Sequence, residues 1–98
     1  MLVKVVWDPQ KDLANRRKHR VSFRQASELF TSGGDYLEIF DDEHSDAEDR
    51  FIAIGPIQRG LVLVIWTELD ENTVRVISAR WAKKREQLLY REYKKAGL

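Results

Sequence analysis

The strongest constraint on this chain is the series of strand-like segments, divided by short turn signals, that fills its second half. Tyr36–Phe40 (YLEIF), Arg50–Gly55 (RFIAIG), Leu61–Thr67 (LVLVIWT) and Thr73–Arg80 (TVRVISAR) are rich in β-branched and aromatic residues. Gln58-Arg59-Gly60 and Asp70-Glu71-Asn72 are good hairpin turns, so the last three strands are expected to form an antiparallel meander. The segment Leu61–Trp66 is apolar throughout and belongs in the middle of the sheet.

The remaining elements carry their own punctuation. Leu2–Trp7 (LVKVVW) reads as a first strand. Asp8 can cap a helix whose first residue, Pro9, gives up an N–H that would have no partner there. This helix, roughly Pro9–Lys18, offers only Leu13 and Ala14 to a core. Ser22, followed three residues later by Gln25, is a capping-box pattern opening a second helix. Phe23, Ala26, Leu29 and Phe30 form its buried stripe, and Gly33-Gly34 ends it. A final helix spans about Ala82–Lys95, with Ala82, Leu89, Tyr93 and Ala96 on one face and Glu86 and Tyr90 at its border. The fold class is α+β: an antiparallel meander with two N-terminal helices and one C-terminal helix packed on it. Residues 1–98 make a single domain, able to bury ~60–65% of its unfolded surface.

Composition narrows the functional classes. Hydrophobic residues at 43% and charged residues at 34% mark a globular chain. There is no cysteine, so disulfides, thiolate nucleophiles and cysteine zinc sites are excluded. The longest apolar run is far short of the ~20 residues that span a bilayer, and no signal-peptide pattern opens the chain. No membrane association and a cytoplasmic location are therefore expected. The net charge of +1 hides a segregation. Lys11–Arg24 and Arg80–Lys95 are strongly basic, whereas the stretch from Asp35 to Asp49 is acidic. Basic ends suit a polyanion partner; solvated helix faces balanced by a solvated acidic loop explain the same pattern equally well.

No phosphate-binding glycine loop, His-Glu-x-x-His motif or nucleophile elbow is present. His19 and His44 are the only histidines, and nothing in their spacing asks for a metal. What remains is chemistry done with charge and protons. RNA can be cleaved without a cofactor, because the ribose 2′-OH attacks its own phosphate. The protein then has to move two protons and neutralise a crowded phosphorane, and a positioned acid or base contributes ~10²–10⁴ in rate. His19 and Glu86 are the candidates for proton transfer, and Arg80, Arg85 and Lys18 for charge. Plainer roles compete. His19 also fits a surface histidine at a helix C-terminus. Glu86 fits a structural pair with Tyr90, or a salt bridge to Arg80 or Arg50. Trp66 reads as core, and Trp7 and Trp81 as core or contact residues more often than base platforms. The acidic loop Asp41–Asp49 lacks the ligand spacing and glycine of a calcium loop, and reads as solvated or as a docking surface for a basic partner.

Three segments together resemble one family. Trp7-Asp8-Pro9-Gln10-Lys11, then Asn15, then Lys18-His19-Arg20-Val21-Ser22-Phe23 resembles the opening of the BrnT toxins. Asp49–Gly55 (DRFIAIG) resembles their middle, and Val76–Glu86 (VISARWAKKRE) followed by Tyr90 their closing signature. The resemblance implies a RelE-like ribonuclease toxin of a bacterial type II toxin–antitoxin system that arrests translation. It implies a BrnA-type antitoxin with a ribbon-helix-helix element, through which promoter DNA is bound only indirectly. By motif position it marks His19, Arg50, Arg80, Glu86 and Tyr90 as catalytic. Lys11, Arg17, Lys18, Arg20, Lys84 and Arg85 are the basic residues expected to hold RNA. No metal or other cofactor is implied. The chain departs from the family at Arg20, where glycine is usual. If that glycine serves a left-handed corner, arginine costs about 1 kcal/mol; if it serves close approach of RNA, Arg20 adds a phosphate contact.

The leading expectation is thus a metal-independent endoribonuclease toxin. A non-catalytic module acting only within an antitoxin–DNA complex is the alternative, and a structural interaction domain the third.

Overall fold

The computed structural model describes residues 3–97. It is an α+β fold built on one five-stranded mixed sheet. The strands are β1 (Lys4–Val6), β2 (Leu37–Phe40), β3 (Phe51–Ile57), β4 (Gly60–Asp70) and β5 (Thr73–Trp81), in the spatial order β1-β5-β4-β3-β2. The helices are α1 (Pro9–His19), the short α2 (Phe23–Ala26) and α3 (Glu28–Thr31), and α4 (Lys84–Ala96). Leu2, expected in the first strand, lies outside the described residues.

The meander is present: β3, β4 and β5 pair antiparallel in chain order, and β2 adds antiparallel to β3. Two-residue turns join the strands at Gln58-Arg59 and Glu71-Asn72, the second held by Asn72 N donating to Asp70 Oδ1 at 2.9 Å. The expectation of a wholly antiparallel sheet needs correction at one edge. β1 runs parallel to β5, pairing Lys4–Val6 with Thr73–Arg75. The chain leaves β1 through α1 to α3 and returns much later, so the two strands are not a hairpin and nothing forces them antiparallel.

β4 is central, and Val62, Leu63, Val64 and Trp66 are all buried. One face of the sheet carries the main core, in which Val21, Phe23, Ala26 and Leu29 from the N-terminal helical region pack on Ala53, Val64, Trp66 and Val76. Trp66 is 3% exposed, as expected of core, and Trp7 and Trp81 pack partly buried against the same cluster. The opposite face has a thinner cluster of Ile54, Leu63 and Ala82, with Tyr90 of α4 against it.

The helix boundaries follow the capping chemistry. Asp8 accepts from Gln10 N at 2.9 Å, and the capping box of Ser22 and Gln25 is formed in both directions at 3.0 and 2.9 Å. The single second helix expected from the periodicity is instead broken at Ser27. The Ser27 hydroxyl donates to Arg24 O at 2.6 Å, a back-bond that competes with the regular ladder. Gly33 then takes the left-handed conformation, at φ 75°.

Two expectations about helix faces are corrected. Leu13 and Ala14 are exposed, and the buried residue of α1 is Asn15. On α4, Leu89 is 45% exposed and no side chain is buried; Glu86, Gln87, Tyr90 and Tyr93 face inward instead. The helix is oriented by polar attachments at both ends. Glu86 pairs with Arg80, and Tyr93 Oη donates to Asp35 Oδ1 at 2.7 Å.

Arg20 settles into a left-handed corner at φ 59°, ψ 30°, immediately after α1. This is the conformation in which a Cβ crowds the following carbonyl. Arg20→Gly is therefore expected to stabilise the fold by about 1 kcal/mol. In a domain of this size that raises the melting temperature by roughly 4–8 °C in a thermal scan. An unchanged or lower value would show the corner to be unstrained.

Candidate active site at the open edge of the sheet

β1 is short, and this decides where the site lies. It covers β5 only at Thr73–Arg75, leaving the same edge of β5 without a strand partner from Val76 onward among the described residues. α1 occupies that space. Asn15, 8% exposed, accepts from Ala79 N at 3.1 Å through Oδ1 and donates from Nδ2 to Val21 O at 2.9 Å. One side chain thus replaces the missing strand at Ala79 and ties down the corner after α1. Asp12 fixes the same corner from one turn earlier, accepting from Phe23 N at 2.8 Å. Beside this anchor β5 has a bulge. The register slips between Ile65 and Trp66 of β4, so that Ile77 is an extra residue on β5.

An open pocket forms between the helix and the bulged edge, lined by Lys11, Ala14, Asn15, Lys18, His19, Ile77 and Ser78. Lys11, Lys18 and His19 share it because residues three, four and seven apart fall on one helix face. The last turn of α1 holds Arg16, Arg17, Lys18 and His19, where the negative end of the helix dipole favours cations. His19 nevertheless has its pKa held below the ordinary 6.5, first by burial and then by the positive charges of Lys18 and Arg80. An imidazole held below that value is predominantly neutral at pH 7.

Arg80 comes to the same corner from β5. Its guanidinium makes a bidentate pair with Glu86, Nη1 to Oε1 at 2.8 Å and Nη2 to Oε2 at 2.7 Å. Glu86 Oε1 also accepts from Lys83 N at 2.7 Å, closing the first turn of α4. The hydrogen bond from Arg80 is the main reason that the Glu86 carboxyl titrates below its ordinary range. The same pairing raises the Arg80 pKa. Both carboxylate oxygens are engaged and the group is held ionised. Its geometry suits aiming Arg80 better than exchanging protons.

The structure therefore joins the two basic segments at one edge: Lys11, Lys18 and His19 from α1, with Arg80 and Glu86 from the β5–α4 junction. Lys84 and Arg85 are exposed in the first turn of α4, next to Glu86, and Arg17 and Arg20 are exposed beside the corner without lining the pocket. Tyr90 lies one turn beyond Glu86 and packs on the thin core. Arg50 is not brought to the site. It precedes Phe51, which faces Trp66, and this places it level with Thr67 and Arg75, five residues along β5 from Arg80 and roughly 15 Å away. There it lies near Glu48 (3.8 Å), which Arg75 also contacts at 2.6 Å. His44 sits in that second region too, paired with Asp41 at 3.1 Å. The residues not singled out from sequence are Asn15 as an anchor and Ser78 as pocket lining. The first carries no signal beyond its place in the motif quoted above, because its partner is far along the chain; the second depends on the bulge and leaves no local signal. Among the described residues, no group of three or more His, Asp or Glu side chains has metal-holding geometry. No helix among them is long and apolar enough to cross a membrane.

Residues 7–86 match the family described as the ribonuclease toxin BrnT of type II toxin–antitoxin systems. The chain belongs to this family. The matched span includes α1, the corner, β5, Arg80 and Glu86, so the whole of the edge site lies within it. Among solved structures, the fold is similar to the 1.1 Å crystal structure of the Brucella abortus ribonuclease toxin, BrnT, with a TM-score of 0.63 and 24% identity. The match covers 84% of this chain and 99% of the Brucella chain, and at this identity it speaks for the fold alone. No curated protein sequence matches the chain. Membership of the family makes the chain a ribonuclease toxin of a type II system, with RNA as substrate and an antitoxin as partner.

Proposed function

We propose that the chain is an endoribonuclease that cleaves RNA by metal-independent acid–base chemistry, inhibits translation, and is neutralised by a BrnA-type antitoxin through which it meets promoter DNA. The observation that carries this reading is a neutral histidine lining one open pocket at the edge of β5 together with Lys11 and Lys18, close enough to Arg80 to feel its charge. Neutral His19 accepts the proton of the ribose 2′-OH, which attacks the adjacent phosphorus. The P–O5′ bond breaks, the 5′-oxygen takes a proton from solvent, to which the His19 imidazolium returns the one it accepted, and the products are a 2′,3′-cyclic phosphate and a 5′-hydroxyl. Arg80 and Lys18 face the charge that builds on the non-bridging oxygens, where fixed guanidinium donors are most effective. Glu86 is a positioning residue that aims Arg80. Lys11, Arg17, Arg20, Lys84 and Arg85 extend the cationic surface along which the RNA backbone lies. Tyr90 supports the Arg80–Glu86 end, and Arg50 contributes only through a substrate long enough to reach the far end of the sheet. The RelE-like assignment is part of the same reading, and localisation in the cytoplasm follows from an RNA substrate engaged in translation.

The test is cleavage of a defined RNA by the purified chain with excess EDTA. The expected result is undiminished cleavage yielding cyclic-phosphate ends, no reaction on an RNA with a 2′-O-methyl group at the scissile position, and growth arrest on expression. Cleavage that stops with EDTA and returns with a divalent cation would overturn the metal-independent mechanism. A purified, folded chain that never cuts RNA would favour the non-catalytic module.

A further inference from the structure

The face of the sheet that carries α4 is only half covered. The strand register lines up its side chains in rows that cross the strands. One row is Leu37, Ile54, Leu63 and Arg80. α4 lies along it, attached by Glu86 at the Arg80 end and by Tyr93 to Asp35, just before β2, at the other. Two residues along each strand, the next row is Ile39, Ile52, Ile65 and Ser78. Ile39 is 36% exposed, and the other three are only partly buried. Beyond this row stand Thr67 and Arg75, with Glu48 of the acidic loop reaching over to Arg75.

Three cross-strand isoleucines thus floor a groove with α4 on one side and the Glu48–Arg75 pair on the other. Rows two residues apart are separated by ~7 Å, so α4 and the Arg75 row stand ~13 Å apart. Half of α4's ~10 Å width falls within that span, so the ~8 Å left accepts one narrow, extended polypeptide segment lying against α4. The chemistry of the floor selects the occupant. A sugar–phosphate backbone gains nothing from isoleucine, whereas an apolar stripe on a polypeptide does. The exposed surface of α4 is basic, with Lys84, Arg85, Arg91, Lys94 and Lys95 spread around it, and complements carboxylates on a segment that lies beside it. The groove also ends on the active site: Ser78 closes the isoleucine row and lines the His19 pocket.

We infer that this groove is the docking surface for the antitoxin, which seats an amphipathic segment with an apolar stripe on Ile39, Ile52 and Ile65 and acidic residues toward α4. The end of the segment passes over Ser78 and closes the pocket. This rests on the reading of the edge pocket as the ribonuclease site, since occlusion there is what makes docking inhibitory.

The test uses the full-length antitoxin cloned from the reading frame beside this one, titrated calorimetrically against the whole chain. Ile39→Glu places a charge on an exposed edge-strand position outside the active site, and Leu69→Glu, at a residue 51% exposed near the end of β4, is the control. Ile39→Glu is expected to weaken antitoxin binding and inhibition at least ~10-fold, about 1.4 kcal/mol, with RNA cleavage by the free chain unchanged. Leu69→Glu and Ile39→Val are expected to bind as the parent does. In the complex, amide exchange is expected to slow across β2 and β3. Antitoxin binding to Ile39→Glu at parental affinity, with that variant folded by circular dichroism, would overturn the proposal. So would a matching loss of affinity for a 2′-O-methyl RNA, which would make the groove an RNA surface, or a loss of self-association in sedimentation, which would assign it to a second copy. A parent chain that fails to cleave RNA would sink the ribonuclease mechanism alone, because the antitoxin affinities still decide the surface.

Discussion

Replacing His19 with glutamine is expected to slow RNA cleavage by about 10²–10⁴-fold, the contribution of a positioned general base, while leaving the fold intact. Among the described residues the side chain has no hydrogen-bond partner, and the corner around it is held by Asn15 and Asp12. Glutamine keeps the volume and removes the titrating group. The pH profile identifies the role. A base must be deprotonated, so kcat/KM of the parent falls as pH drops through the His19 pKa. Because burial, Lys18 and Arg80 hold that pKa below 6.5, the acidic limb lies below the range of an ordinary histidine. The variant is expected to lose this limb along with the rate. The linkage to stability has the same sign. The unfolded chain binds the proton more readily than the folded one, so acidification below about pH 6.5 removes stability from the parent and not from the variant. A His19→Gln enzyme with parental kcat and an unchanged acidic limb would remove His19 from the mechanism.

The parts of this molecule that were legible in the sequence are those written in local chemistry. Asp8-Pro9, Ser22 with Gln25, and Gly33 each announce a helix boundary through a backbone group that needs a partner or a conformation that needs glycine. The hairpin turns announce antiparallel pairing for the same reason. Non-local facts were not legible. That β1 runs parallel to β5 and stops after Val6 is decided by packing across the whole chain, yet this early stop opens the edge where the site forms. Asn15 illustrates the difference. By helical propensity it is a poor residue mid-helix, and its reason for being there is the amide of Ala79, 64 positions away. Arg50 illustrates the converse: its motif position groups it with Arg80, but strand register holds them far apart. The face of α4 was misread because apolar periodicity predicts burial only where a helix is held by its apolar side. Here ion pairing and a tyrosine hydrogen bond orient it.

Removing Arg80 is expected to cost about as much as losing one oxyanion donor, 10²–10³-fold in kcat, and to alter His19 as well. The guanidinium is the charge that faces the phosphorane, and it also lowers the His19 pKa. In Arg80→Ala the residual activity should therefore show its acidic limb displaced to higher pH, and the His19 resonances should titrate higher by NMR. Glu86→Gln separates aiming from chemistry. If Glu86 only orients Arg80, the variant keeps the parental acidic limb and loses kcat by less than Arg80→Ala, since the arginine is still present. If Glu86 is the general base, the loss matches or exceeds that of His19→Gln and the limb disappears. Both variants also report on stability. The two side chains are 28% and 18% exposed, and losing the carboxylate leaves the guanidinium and Lys83 N without their acceptor. The expected cost is about 1–3 kcal/mol at neutral pH. The folded pKa of Glu86 is depressed by Arg80, so the stabilisation is full above the ordinary carboxylate range and lost as pH falls through the lowered value. Parent and Glu86→Gln should consequently converge in melting temperature toward strongly acidic pH. A constant difference across the whole pH range would mean that the pair contributes through packing, and that Arg80 does not depend on Glu86 for its aim.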